Sequence, residues 1–169
     1  MKMTPNRKMG LIALGVFALD QVTKQLVLRF LGREDEIIVM DGFFKLVHWG
    51  NTGAAWSMFH DQNALLAIFS LVALLALFLW RHHFDTRTGL GQTAMGLLFG
   101  GIAGNLADRL FIHHVVDFLR FYIYTRSGNE LGFPAFNVAD SAICIGVGLL
   151  FILSWKPQPE SPEPDASKP

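Results

Sequence analysis

Long apolar stretches recur along the chain, separated by short polar segments. From Met9 to about Phe30 nearly every residue is apolar, interrupted only by Asp20, Gln21, Thr23, Lys24, Gln25 and Arg29. The run from Ala64 to Trp80 contains one polar side chain, Ser70. A third run, roughly Leu90 to Ala107, is rich in glycine, and a fourth extends from about Ala135 to Trp155. Each approaches the ~20 residues needed to cross a hydrocarbon core of ~30 Å. A soluble bundle would need charged outer faces on these helices, and the second run offers none. The pattern therefore predicts an all-α integral membrane protein with four transmembrane helices.

The connections between the runs differ in character. Ile37-Ile38-Val39-Met40, then Asp41-Gly42, then Phe43 to Trp49 reads as a hairpin, two β-rich runs around a turn dipeptide. It is a small extracytoplasmic β element, with aromatic residues suited to the membrane interface. The connection 110–134 carries Arg126-Ser127-Gly128-Asn129-Glu130, which reads as a mobile polar loop and a candidate lid. Residues 1–155 form a single membrane domain. The proline- and charge-rich segment 156–169 reads as a disordered cytoplasmic tail.

Charge sets the orientation. Lys2, Arg7 and Lys8 precede the first run, Arg81 and Arg87 follow the second, and Lys156 follows the fourth. These segments lie on one side of a four-span frame, which the positive-inside tendency makes the cytoplasm. Both termini are then inside and both large connections outside. A cleavable signal peptide would also begin basic and then apolar, but the first run passes into Asp20–Lys24 without a small-residue cleavage site.

Composition narrows the function further. The chain has 169 residues, 51% of them hydrophobic and 17% charged, against about 25% charged in ordinary soluble domains. Its 14 basic and 14 acidic residues balance, which argues against a nucleic-acid partner. The single cysteine, Cys144, excludes an internal disulfide and a multi-cysteine metal site, and it reads as a small core residue. His82-His83 and His113-His114 lack metal-ligand spacing, and no G-x-S-x-G nucleophile elbow occurs. No metal and no cofactor is expected.

Ionisable groups inside membrane helices cost about 2.5–3.5 kcal/mol each at the centre and are functional candidates by default. Here they are grouped. Asp20 and Lys24 are spaced i,i+4 and can pair on one helix face, either as a structural ion pair or in support of a site. Gly96, Gly100 and Gly104 form a small-residue stripe that permits close helix contact. The stripe leads into Asn105, Asp108 and Arg109, which share one helix face. Val115-Val116-Asp117-Phe118 sets a carboxylate among apolar neighbours, and Phe136-Asn137-Val138-Ala139-Asp140 sets another at the start of the fourth run. Asp140 alone could merely complement a helix N-terminus. Two carboxylates at one membrane depth suggest acid–base chemistry, since a close pair shares one proton and can both accept and donate.

Five segments together resemble the lipoprotein signal peptidase family, bacterial signal peptidase II. They are Asp20-Gln21-x-x-Lys24, Asn51-Thr52-Gly53-Ala54-Ala55-Trp56-Ser57, Gly100-Gly101-x-x-Gly104-Asn105-x-x-Asp108-Arg109, Val115-Val116-Asp117-Phe118 and Phe136-Asn137-x-Ala139-Asp140. The resemblance spans about residues 9–155, with Trp56 where Phe is common and a longer stretch than usual between Asp117 and Asp140. It implies an aspartic endopeptidase that removes signal peptides from diacylglyceryl-modified prolipoproteins, cutting just before the lipidated cysteine. By motif, Asp117 and Asp140 are the catalytic dyad. Asn51, Asn105, Arg109 and Asn137 are polar site residues, with Asn51 and Arg109 expected to bind the substrate backbone or a developing oxyanion. Asp20 and Lys24 support the site, and Gly53, Gly104, Asp108 and Ala139 fall in the same motifs. The implied setting is the bacterial inner membrane, with the site at the outer leaflet, lipid around it and a monomeric enzyme.

Two other functions fit parts of the pattern. A small transporter or channel would carry polar residues through the full membrane depth, whereas these cluster near one face. A helix-assembly factor would use the glycine stripe but leave the paired carboxylates unexplained.

Overall fold

The computed structural model describes residues 3–33, 35–53, 61–84 and 86–155. Lys2, the segment Ala54–Ser57 with Trp56, and the tail beginning at Lys156 lie outside the described residues. The first helix, α1, spans Pro5–Phe30 and starts four residues before the apolar run. Proline at its first position suits a helix start, where a backbone N–H is unpaired in any case. A hairpin follows: β1 (Glu36–Met40) and β2 (Phe44–Asn51) pair antiparallel. They turn through Gly42 at φ 71°, a conformation glycine adopts without a Cβ penalty. Helix α2 covers Asn63–Trp80 and continues as a single 3₁₀ turn, Arg81–His83. Helix α3 covers Gly89–Phe111, capped by the Thr88 hydroxyl accepting from Gly91 N at 3.1 Å.

The connection 110–134 departs from the loop expected there. Val115–Tyr124 forms β3, a ten-residue strand paired with β2, and Glu130–Gly132 forms β4, paired with β3. The result is one antiparallel sheet in the order β1-β2-β3-β4. The supposed lid is thus the tip of the β3–β4 hairpin, not a polar loop without partners. Its backbone is tied by Thr125 N to Asn129 O at 2.8 Å, and Glu130 pairs with both Lys45 and Arg120 at 2.7 Å. The last helix, α4, spans Val138–Ser154. Residues 135–137 precede it in extended form, with Phe136 bridging to Leu119 of β3. Asn137 is the N-cap and Asp140 the third helical residue, in a reciprocal capping box.

Helix α3 is the centre of the bundle and packs against α1, α4 and α2. The glycine stripe makes the approach possible. A Cβ on Gly100 would fall 2.5 Å from Ala13 O and 2.7 Å from the Val16 side chain. Below the sheet, Val27 of α1 and Leu31, just after the helix, pack on Val116 and Phe118 of β3. That small core fixes β3, and with it Asp117, against the end of α1.

Apolar residues cover the outside. Of α2 only Leu66 and Ala67 are buried, and Leu71, Val72, Leu75, Phe78 and Leu79 are all exposed. A helix apolar all round and exposed is built for lipid, not water. Pro5–Phe30 and Asn63–His83 are long and apolar enough to cross a membrane, and Val138–Ser154 is apolar but shorter. Cys144 is exposed on α4, contrary to the core position expected of it. Ala139, Ala142 and Gly146 form the buried face of that helix, and Cys144 falls outside it.

Candidate active site

Four elements meet around a buried ion triad. Lys24, 1% exposed, uses its three N–H donors on Asp20 Oδ2 at 2.8 Å, Asp108 Oδ2 at 2.9 Å and Asn105 Oδ1 at 2.9 Å. Burying such charges is costly unless every one is paired and hydrogen-bonded. Here they are. Asp20 Oδ1 accepts from the Ala139 backbone N–H at 2.9 Å, and Asp108 Oδ2 accepts from Val116 N at 3.1 Å. Gln21 adds its amide, donating to Asp20 Oδ2 at 3.2 Å and Asp108 Oδ1 at 3.0 Å. The triad therefore locks α1, α3, α4 and β3 in one register. Gly104 has to lack a side chain, since a Cβ there would lie 2.5 Å from Asp20 Oδ2 and 3.4 Å from Ala139 Cβ.

The two carboxylates singled out in the sequence flank this triad. Asp117, on β3, is buried, and its Oδ1 accepts from Asn137 Nδ2 at 2.9 Å while Oδ2 accepts from Asn51 Nδ2 at 3.0 Å. Asp140 Oδ1 accepts from Asn105 Nδ2 at 2.7 Å and Oδ2 from the Asn137 backbone N–H at 3.2 Å. Asn137, wholly buried, is bonded to both. Burial pushes Asp117 up to about 7, reinforced by the charge of Asp140 and opposed by the bonds from Asn51 and Asn137 and by the charge of Lys24. A carboxyl in that range exchanges a proton near neutrality, as a general acid must.

Asn51 and Arg109 lie beside the pair. Asn51 Oδ1 accepts from Gly53 N at 2.9 Å, which turns its amide nitrogen to Asp117. Arg109 donates to Gly53 O at 3.2 Å and to Asn105 O at 3.4 Å, and its buried Nε has no acceptor among the described residues. Asn105 and Arg109 also line a cleft of about 320 Å³ whose other walls include Leu66 and Phe69 of α2 and Ile143 of α4. A larger concavity of about 690 Å³ lies along α1 between Gln21 and Phe30, lined by that helix alone. The smaller cleft is the one that joins an apolar flank to polar site groups.

All the expected site residues, Asp20, Lys24, Asn51, Gly53, Gly104, Asn105, Asp108, Arg109, Asp117, Asn137, Ala139 and Asp140, thus fall in one connected network. Gln21 had no expected role and proves to bridge two carboxylates; its position beside Asp20 in a membrane helix was the available signal.

Residues 12–156 match the family model described as signal peptidase (SPase) II. The lipoprotein signal peptidase of Syntrophotalea carbinolica is 38% identical over 159 residues, covering 92% of this chain and 96% of that protein. That of Geobacter sulfurreducens is 41% identical over 145 residues, covering 83% and 87%. A solved bacterial membrane enzyme, determined by the in meso method at 1.9 Å resolution, superposes with a TM-score of 0.74 at 33% identity, covering 88% of this chain and 92% of that one.

Proposed function

The chain belongs to the signal peptidase II family, and from that premise we propose that Asp117 and Asp140 are its catalytic pair. It is a membrane aspartic peptidase that removes signal peptides from prolipoproteins. The observation that carries the assignment is Asn137, which donates to Asp117 through its side chain and to Asp140 through its backbone. One rigid residue holds two carboxylates that would otherwise repel.

The reaction needs a water, a base and an acid. The ionised carboxylate takes a proton as the water oxygen bonds to the scissile carbonyl carbon. The protonated carboxyl supplies the proton that the reaction centre gains. Arg109, whose buried Nε has no acceptor among the described residues, faces the cleft as a donor for the substrate backbone or the oxyanion; such donors contribute about 2.7–4 kcal/mol. Asn51 acts through Asp117 by holding it in place.

The membrane frame is part of the same proposal. Helices α1 to α4 are four spans, with both termini cytoplasmic and the sheet at the outer face of the bacterial inner membrane. The 23 residues of α3 rise about 34 Å, enough to span, and its charges are gathered at one end. The apolar flank of the cleft suits lateral entry of a diacylglyceryl-modified substrate, cut just before the lipidated cysteine by a monomer in contact with lipid.

The test is cleavage of a lipid-modified prolipoprotein by the purified protein. Asp117→Asn and Asp140→Asn should each abolish turnover while the protein stays folded by thermal melt and gel filtration. Turnover within tenfold of wild type in either would overturn the dyad.

A further inference from the structure

The dyad can share its proton in two ways, and the groups around it differ on the two sides. Asn105 is the deciding contact. Its Oδ1 faces two donors, Lys24 Nζ at 2.9 Å and Asn137 Nδ2 at 3.2 Å. Turning the amide over would place an NH₂ group against an ammonium. The orientation is therefore enforced by charge, and Nδ2 has to point at Asp140, which it meets at 2.7 Å. Asp140 also accepts from the Asn137 backbone and sits in the first turn of α4, where the unpaired N–H groups favour a negative charge. Asp117 sits mid-sheet and receives two neutral side-chain amides.

We infer that Lys24, acting through the Asn105 amide, holds Asp140 as the ionised member of the pair, so that Asp117 carries the proton at rest. The inference rests on the dyad proposed above. The charged groups facing the pair are Lys24 and Asp20 from α1, Asp108 and Arg109 from α3, and each carboxylate for the other. Lys24, Asp20 and Asp108 together carry one net negative charge, so the triad acts on Asp140 by orienting a donor and not by its total charge.

The roles then follow in order. Asp140 accepts a proton from water as the water oxygen bonds to the carbonyl carbon, and Asp117 gives its proton to the carbonyl oxygen, leaving a neutral gem-diol. In the second step the C–N bond breaks, its electron pair goes to nitrogen, and nitrogen takes the proton from Asp140. Asp117 recovers a proton from the gem-diol as the C=O bond re-forms. One water is consumed, one amide bond is cut, and the resting charges return.

Lys24 is a positioning residue in this scheme, and the test uses the pH dependence of kcat on a lipid-modified prolipoprotein peptide with full-length protein. Lys24→Met should move the acidic half-maximum to higher pH by about one unit, the usual scale for losing a favourable neighbour. Lys24→Arg, which keeps the cation, should move it less. Because Lys24→Met exposes Asp20 and Asp108 to each other and can prevent folding, Asn105→Leu is the second variant. It leaves the ion triad intact and should give the same upward shift.

A direct readout accompanies these. An apolar epoxide alkylates an ionised carboxylate, whereas a diazoacetyl ester esterifies a protonated one. Peptide mapping of wild-type protein should place the epoxide adduct on Asp140 and the diazo adduct on Asp117. The reversed pattern, or lowered plateaus with unmoved half-maxima in both folded variants, overturns the inference. Those outcomes leave the dyad standing, which fails only if the Asp117→Asn or Asp140→Asn protein remains active.

Discussion

Asn137 Nδ2 lies 2.9 Å from Asp117 Oδ1, while the same side chain's Oδ1 accepts from Asp140 N, in the first turn of α4, at 2.9 Å. One side chain is both helix cap and active-site clamp, and the two duties are separable. Asn137→Ser keeps a capping oxygen but cannot reach Asp117, whereas Asn137→Ala loses both. Loss of the cap should cost about 1 kcal/mol, so Asn137→Ala should melt well below Asn137→Ser. Both should lose about 10–100-fold in turnover, the scale of one hydrogen bond to the charge that develops on Asp117 as it gives up its proton. Equal melting temperatures, or activity restored by serine, would refute the division of labour.

Asp117 also couples activity and stability to pH. Its folded value near 7 stands above the ordinary carboxylate value of 3.8, so the folded state binds this proton more tightly than the unfolded chain. The corresponding stability is present below about pH 4 and is lost as pH rises toward 7. Asp117→Asn cannot lose that proton. The melting temperature of Asp117→Asn minus that of wild type should therefore grow between pH 4 and pH 7, whatever its offset. In wild type, kcat/KM should fall on the alkaline side with a midpoint near 7 if Asp117 is the acid. A melting difference that stays flat across this range would show that Asp117 is not buried as a neutral acid.

Much of this was legible in the chain because membrane helices write strong signals. The apolar run of α2 and the i,i+4 spacing of Asp20 and Lys24 determine a helix and an ion pair without tertiary information. The strand β3 was missed, although Val115-Val116 and the alternating Phe121-Tyr122-Ile123-Tyr124 favour strand. The following Arg126–Glu130 read as loop polarity, whereas Arg120 within the strand pairs with Glu130 at 2.7 Å and stacks 4.3 Å over the Trp49 ring, a long-range arrangement that no local pattern encodes. The same holds for Gln21, whose partners Asp108 and Gly104 lie more than eighty residues away. Asn137 and Asp140 share a face by spacing, yet the extension of Phe136 toward β3 depends on sheet pairing.

The glycines of α3 allow a sharp contrast. An alanine at 104 would drive its methyl into Asp20 Oδ2 at 2.5 Å, and something buried has to move. Gly104→Ala should therefore lose nearly all activity and melt lower. Gly148, on α4, has nothing within 4 Å of an added Cβ. Gly148→Ala should retain activity and gain up to about 1 kcal/mol from helix propensity. Similar behaviour of the two variants in melts and cleavage assays would mean that the α1–α3 contact does not set the triad.

The tip 126–130 is better tested as a clamp than as a lid. Lys45, almost wholly buried, lies 2.7 Å from Glu36 and 2.7 Å from Glu130, with its ammonium 4.7 Å from the centre of the Tyr122 ring. Burial works to lower Lys45, but the bonds and charges of Glu130 and Glu36 outweigh it, and the amine is held above its ordinary value and stays charged. Glu130 also pairs with Arg120, so one carboxylate fastens β2, β3 and β4. A lid and a clamp differ in what its removal changes. Glu130→Gln should lower stability by about 1 kcal/mol at low ionic strength, the upper end for a partly exposed pair, and the loss should shrink in 1 M salt on the order expected of screening. Turnover should stay within about twofold of wild type, since Asp117 is held by Asn51 and Asn137 and not by this network. A large fall in kcat with an unchanged melt would restore the lid.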